Sequence, residues 1–216
     1  NSIFLRPSSD KEAQQAITNL FTDPTSPSLN RATQGLYPVG STFKPITAIA
    51  ALESGKTTSS RQIKCNGYLI INNHSHACMG YHSNISLKTA IAKQFGLGEK
   101  TGIEINEYAG YRSNEETMNL KETDIYHKWT DSDTAQTSIG QLYTLFTPMQ
   151  LARYAAALGN GGRLNVPYLI GSVKTSTGSV VLDNSNKNDN PTIVAASQYV
   201  LDTVKEGMVE MVKGSG

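Results

Sequence analysis

Tyr37-Pro38-Val39-Gly40-Ser41-Thr42-Phe43-Lys44-Pro45 leads into a run of small and apolar residues from Ile46 to Leu52 that stops at Gly55. Proline early and glycine late is the asymmetry of a helix, and the apolar run makes this a buried helix that begins near Ser41. A hydroxyl and an amine stand three residues apart at its mouth, and on a first turn positions i and i+3 lie side by side. A serine is a poor nucleophile until a neighbouring base takes its proton, which a lysine can do if burial under apolar neighbours favours its neutral form. The helix N-terminus also points N–H groups at the serine, where they would stabilise charge developing on an attacked carbonyl oxygen. Ser41 is therefore the candidate nucleophile and Lys44 the candidate base.

Outward from this helix, Asp10 to Phe21 reads as a short peripheral helix capped by Ser8, Ser9 and Asp10. Cys65–Ile71 and His74–Gly80 read as a hairpin turning at Asn72-Asn73. Thr147 caps a strong helix over Met149 to Leu158, stopped by Gly159-Asn160-Gly161-Gly162. Tyr168 to Lys174 and Val180 to Leu182 make a second hairpin, and Asp183 to Asn190 is a polar loop tip. Ile193 to Val212 reads as a long helix with Val200, Val204, Met208 and Met211 in the core. Hairpins mixed with helices, without regular βαβ alternation, give an α+β expectation: an antiparallel sheet packed between helices.

The 216 residues carry 19 Lys+Arg against 18 Asp+Glu, a net charge of +1, and form one domain over residues 1–216. Without a basic run there is no electrostatic footprint for nucleic acid, and no apolar stretch is long enough to span a bilayer. Nothing at the N-terminus reads as a charged segment followed by an apolar one, so the sequence carries no address of its own.

Cys65, His74, His76, Cys78 and His82 concentrate chemistry in the first hairpin. With the turn at Asn72-Asn73, Ile71 faces His74, and Cys65, His76 and Cys78 share one side. Three outcomes stay open: structural zinc on Cys65, His76, Cys78 and His82, a disulfide between Cys65 and Cys78, or free thiols. His74, two strand steps from His76, is left out of the ligand set.

Asn30-Arg31-Ala32 followed by the Tyr37 to Pro45 stretch resembles the active-site serine motif of penicillin-binding protein transpeptidases. A second block looks like the Ile-Gly-Gln segment and core helix of class B members of that family. It comprises Gln136-Thr137-Ser138-Ile139-Gly140-Gln141, Thr147-Pro148-Met149-Gln150-Leu151-Ala152 and Tyr154-Ala155-Ala156, with the glycine-rich stop after it. Phe95 to Ile103 is similar to the connector that precedes it. Class D β-lactamases share the Ser-Thr-Phe-Lys tetrad, and the second block speaks against them.

The resemblance implies a penicillin-binding/β-lactamase-like fold and a peptidoglycan D,D-transpeptidase that works through a serine acyl-enzyme and is inhibited by β-lactams. It implies no cofactor for catalysis. Its partners would be stem peptides and a cell-wall glycosyltransferase of the morphogenesis machinery. Its place would be the outer face of the cell membrane, anchored by an N-terminal helix and carried on a pedestal domain. The alternative is a non-catalytic β-lactam or muropeptide sensor with the same serine motif. His82 resembles the histidine shortly before the family's second motif, Ser-X-Asn.

That motif should follow a helix like Ile85 to Ala92, but here Lys93-Gln94-Phe95-Gly96 joins straight on, and Ser83-Asn84 lacks the spacing. The third motif, Lys-Thr-Gly on an edge strand, should come after Gly216, and Lys100-Thr101-Gly102 is a decoy within the connector. The expected fold is thus incomplete at the active-site edge strand, with the missing motifs on residues outside this stretch. A homologue that has lost its site is the competing explanation.

Overall fold

The computed structural model describes residues 2–61, 63–64, 68–71, 73–77, 84–85, 95–122 and 128–213. After a 3₁₀ turn over Ser2–Leu5, α1 (Lys11–Thr22) starts at Asp10, whose carboxylate accepts the Ala13 N–H. This is the expected peripheral helix. β1 (Tyr37–Pro38) precedes a 3₁₀ turn, Gly40–Phe43, that runs into α2 (Lys44–Glu53), so the serine sits on the tighter turn and the lysine opens the α-helix. Ile46, Thr47, Ile49 and Ala51 of α2 are buried, and full burial of each isoleucine is worth about 2 kcal/mol.

β2 (Ile63–Lys64) pairs antiparallel with β5 (Asn84–Ile85), and β3 (Tyr68–Ile71) with β4 (His74–Ala77). The expected register holds where it is described, with Ile71 opposite His74 and Leu69 opposite His76. α3 (Glu115–Lys121) and α4 (Asp131–Ser138) were not expected from the sequence. Both are short and polar, so neither shows an apolar stripe, but their caps are legible. Asn114 accepts the Thr117 N–H, and Thr130 with Asp133 forms a capping box.

β6 (Leu145–Phe146) pairs with β1, and Thr147 with Gln150 forms the capping box of α5 (Pro148–Gly159), the helix foreseen at Met149 to Leu158. β7 (Arg163–Leu164) pairs with β10 (Thr192–Ile193). β8 (Ser172–Lys174) and β9 (Val180–Asp183) form the second hairpin, with an irregularity between Val173 and Lys174. Tyr168 to Gly171 lies before that ladder.

The last helix, α6 (Gln198–Val212), is shorter than the sequence suggests. Thr192–Ile193 is drawn into pairing with β7, the Val194 N–H donates to Gly162 O, and the helix waits for Ser197, whose hydroxyl accepts the Val200 N–H. Glu53 fixes this start by accepting the Ser197 N–H at 2.6 Å and its hydroxyl at 2.9 Å. Val200, Leu201 and Val204 are buried, but Met208 and Met211 are exposed, because among the described residues the core ends at the preceding turn.

The architecture is α+β with every described pairing antiparallel, and among the described residues the strands form five two-stranded pairs rather than one sheet. The central core joins Phe43, Ile46 and Ile49 of the 3₁₀–α2 segment to Phe95, Leu97, Phe146, Tyr154, Ala157, Leu158, Val200 and Val204. The Ser41 turn thus stands on the core itself. No helix among the described residues is long and apolar enough to cross a membrane.

Candidate active site

Gly40 has φ +50°, a conformation glycine adopts at little cost, and it turns the chain into the 3₁₀ segment. Thr42 donates both its N–H and its hydroxyl to Val39 O, and the Lys44 N–H donates to Ser41 O. The ring of Phe43 points inward and stacks on Phe146, with 6.4 Å between centroids. Ser41, Thr42 and Lys44 are exposed while Phe43, Ile46 and Thr47 are buried, so hydroxyl and amine sit on the outer face of one turn. The serine is open to a ligand from solvent.

One expectation fails. Lys44 is exposed rather than covered by apolar neighbours, because the apolar residues beside it turn to the opposite side of the helix.

The inner side of the turn is held by the Ile139-Gly140-Gln141 segment, which the sequence marked only as a family resemblance. The Gly40 N–H donates to Gly140 O at 3.1 Å, and Thr47 Oγ1 donates to Ser138 O. Gly140 has φ +75°, and a Cβ there would collide with the Gly40 carbonyl oxygen. Only glycine permits this approach. From α5, the Tyr154 hydroxyl donates to Thr42 O at 3.2 Å, and its ring meets Phe95 edge-on at 5.5 Å. The three hydrogen bonds span roughly a hundred residues, which is why local patterns did not disclose them.

The connector is equally constrained. Glu107 is 8% exposed and accepts the Thr101 N–H, the Thr101 hydroxyl and the Gly102 N–H at 2.7 to 2.8 Å. Thr101 is itself buried, so Lys100-Thr101-Gly102 is engaged in holding its own loop, in line with its reading as a decoy. The Gln150 side-chain amide donates to Glu99 O at 2.6 Å and Ala109 O at 2.7 Å, tying the connector to α5.

Cys65, Cys78 and His82 lie outside the described residues. His76 lies on β4, whose backbone alone is described there. Among the described residues no group of three or more His, Cys, Asp or Glu is arranged to hold a metal. Residues 86–94, where the Ser-X-Asn segment was sought, are also outside them.

The family described as "Penicillin binding protein transpeptidase domain" matches residues 2–93 and 89–216. The two matched stretches meet at the place where the second motif is not found in the sequence. The Haemophilus influenzae protein named "Peptidoglycan D,D-transpeptidase MrdA" is 28% identical to the whole of this chain and 36% of that relative is covered. Its alignment runs over 242 residues, longer than the chain, so the relative carries residues within the aligned span that this chain lacks.

Among solved structures, Pseudomonas aeruginosa PBP2 in complex with WCK 5153 aligns with a TM-score of 0.70 at 26% identity, over 93% of this chain and 50% of that one. The imipenem acyl-enzyme complex of Mycobacterium tuberculosis penicillin-binding protein A aligns with a TM-score of 0.66 at 26% identity, over 94% of this chain and 50% of that one. The chain spans about a third of the length of the curated relative and half of the solved chains. With both stretches of the match taken together, this chain belongs to the penicillin-binding protein transpeptidase domain family.

Proposed function

We propose that this chain carries the nucleophile half of a peptidoglycan D,D-transpeptidase. The observation that bears most weight is the outward presentation of Ser41 and Lys44 on one turn that is fixed from behind. The relative's name and the acyl-enzyme structure support the same reading over a sensor without turnover.

In the first step Ser41 Oγ bonds to the carbonyl carbon of the penultimate D-alanine of a stem peptide. Lys44 takes the hydroxyl proton, the amide C–N bond breaks, and the proton passes to the departing D-alanine amine. In the second step the amine of a neighbouring strand attacks the ester carbonyl, the bond to Ser41 Oγ breaks, and the proton lost by the amine passes by way of Lys44 to Oγ, leaving a crosslink and free Ser41. The Ser41 N–H, at the start of the helical segment, is one donor to the oxyanion, and a second donor comes from an edge strand beyond this stretch.

The same reading makes β-lactams acylating inhibitors and a cell-wall glycosyltransferase the working partner, at the outer face of the cell membrane. Whether zinc occupies Cys65, His76, Cys78 and His82 is a separate question. Elemental analysis after dialysis answers it, and a metal-free protein with a Cys65–Cys78 disulfide rejects zinc.

A fluorescent penicillin added to the full-length protein should label it, and Ser41→Ala should abolish the label. Labelling that persists in Ser41→Ala moves the nucleophile elsewhere. With a peptide ending in D-Ala-D-Ala, continued release of D-alanine supports turnover, and a single persistent adduct supports a sensor.

A further inference from the structure

We propose that Tyr154 and Gly140 are positioning residues for Ser41, acting as a two-point brace on the backbone either side of it. The inference rests on the reading of Ser41 as the acylated nucleophile. The residue before Ser41 gives its N–H to Gly140 O at 3.1 Å, and the residue after it receives the Tyr154 hydroxyl at 3.2 Å. Ser41 itself is exposed, so its place is set through its neighbours.

The two anchors come from different elements, the turn that follows α4 and the middle of α5, and neither belongs to the helix that carries the serine. A 3₁₀ turn has poorer internal hydrogen-bond geometry than an α-helix, so external bonds matter more in fixing it. Each anchor is itself immobilised. Gly140 is locked by a close approach that leaves no room for a Cβ. Tyr154 is 4% exposed and wedged edge-on against Phe95. Burial also pushes the Tyr154 phenol far above its ordinary range, so the hydroxyl keeps its proton and remains a donor. The brace sets both the Oγ that attacks and the N–H that receives the oxyanion, and displacement of such groups by about 1 Å can cost about 100-fold in rate.

Tyr154→Phe in the full-length protein tests this, since the ring and its contact with Phe95 are kept and one hydrogen bond is lost. Stopped-flow acylation by a penicillin separates the acylation rate constant from the dissociation constant, and a melting curve is recorded beside it. The rate constant should fall about tenfold with the dissociation constant changed less than about twofold. Gly140→Ala should show the same split more strongly if it folds.

A purely structural Tyr154 would lower the melting point and the acylatable fraction, leave the rate constant of that fraction unchanged, and so overturn the proposal. If the wild-type protein is not acylated at Ser41, the functional reading fails first and the brace falls with it. Acylation of the wild type with an unchanged rate constant in Tyr154→Phe sinks the brace alone.

Discussion

The Ser41 turn and the β8–β9 hairpin are both short, both show polar or strand side chains to solvent, and both turn on glycines with positive φ, yet they are held by opposite means. The hairpin's strand residues are all exposed, and its strands are ordered by their own ladder and the Thr175–Gly178 turn, with Glu104 of the connector holding only the segments at its base. The Ser41 turn makes few bonds of its own, and is fixed by Phe43 in the core and by Gly140, Ser138 and Tyr154 from far along the chain. A local device can be mobile without consequence. A reactive residue needs its geometry set by a rigid surrounding, which neighbours in sequence cannot supply.

The largest test of that contrast is Phe43→Ala. The ring is 6% exposed and stacked on Phe146, and removing it from the floor of the turn should lower unfolding free energy by about 4 kcal/mol. Denaturant titration measures this, and penicillin labelling should weaken at temperatures where the variant is still folded. A loss below about 1 kcal/mol would mean the turn does not stand on the core.

The same contrast explains what was legible in advance. Caps and turns act within a few residues, so Asp10, Thr147 and the Asn72-Asn73 register could be read directly. Ser41 and Lys44 were legible because their chemistry depends on spacing along one turn. The brace was not, since Gly140 and Tyr154 meet residues 40 and 42 only after folding, and nothing local distinguishes Gly140 from an ordinary turn glycine. The exposure of Lys44 was misjudged for the same reason: a small-residue helix buries one face, and the sequence alone did not say which face carried the amine. The late start of α6 was readable in principle from Ser197, but apolar periodicity drew the helix back over Ile193, which pairs with Arg163 instead.

At the other end of the scale stands Val181→Ser in β9. Val181 is 67% exposed, so the substitution should change stability by less than about 0.5 kcal/mol and leave penicillin labelling at the wild-type level. A larger loss would show that the hairpin face is covered in the full-length protein, which would bring it closer to the Ser41 turn in kind.

The finest distinction lies in how the two regions respond to acid. The base of the hairpin is tied to the connector by Glu104, which accepts the Leu169 N–H at 2.9 Å and the Asn184 amide at 3.1 Å and lies 3.6 Å from Lys187. The Leu169 N–H is the main reason its carboxyl is held below the ordinary carboxylate range, with the Lys187 charge adding to it. A carboxyl lowered in the folded state contributes above its unfolded value, and that contribution disappears as pH falls through the lowered folded value. The Ser41 turn hangs on a glycine carbonyl and a protonated phenol, neither of which titrates in that window. Amide exchange followed down through the carboxylate range should therefore loosen the Leu169 backbone amide and the Asn184 side-chain amide while the Gly40 amide keeps its protection. If Gly40 loosens at the same pH, the turn shares the hairpin's electrostatic support, and the division between a locally built and a remotely braced region no longer holds.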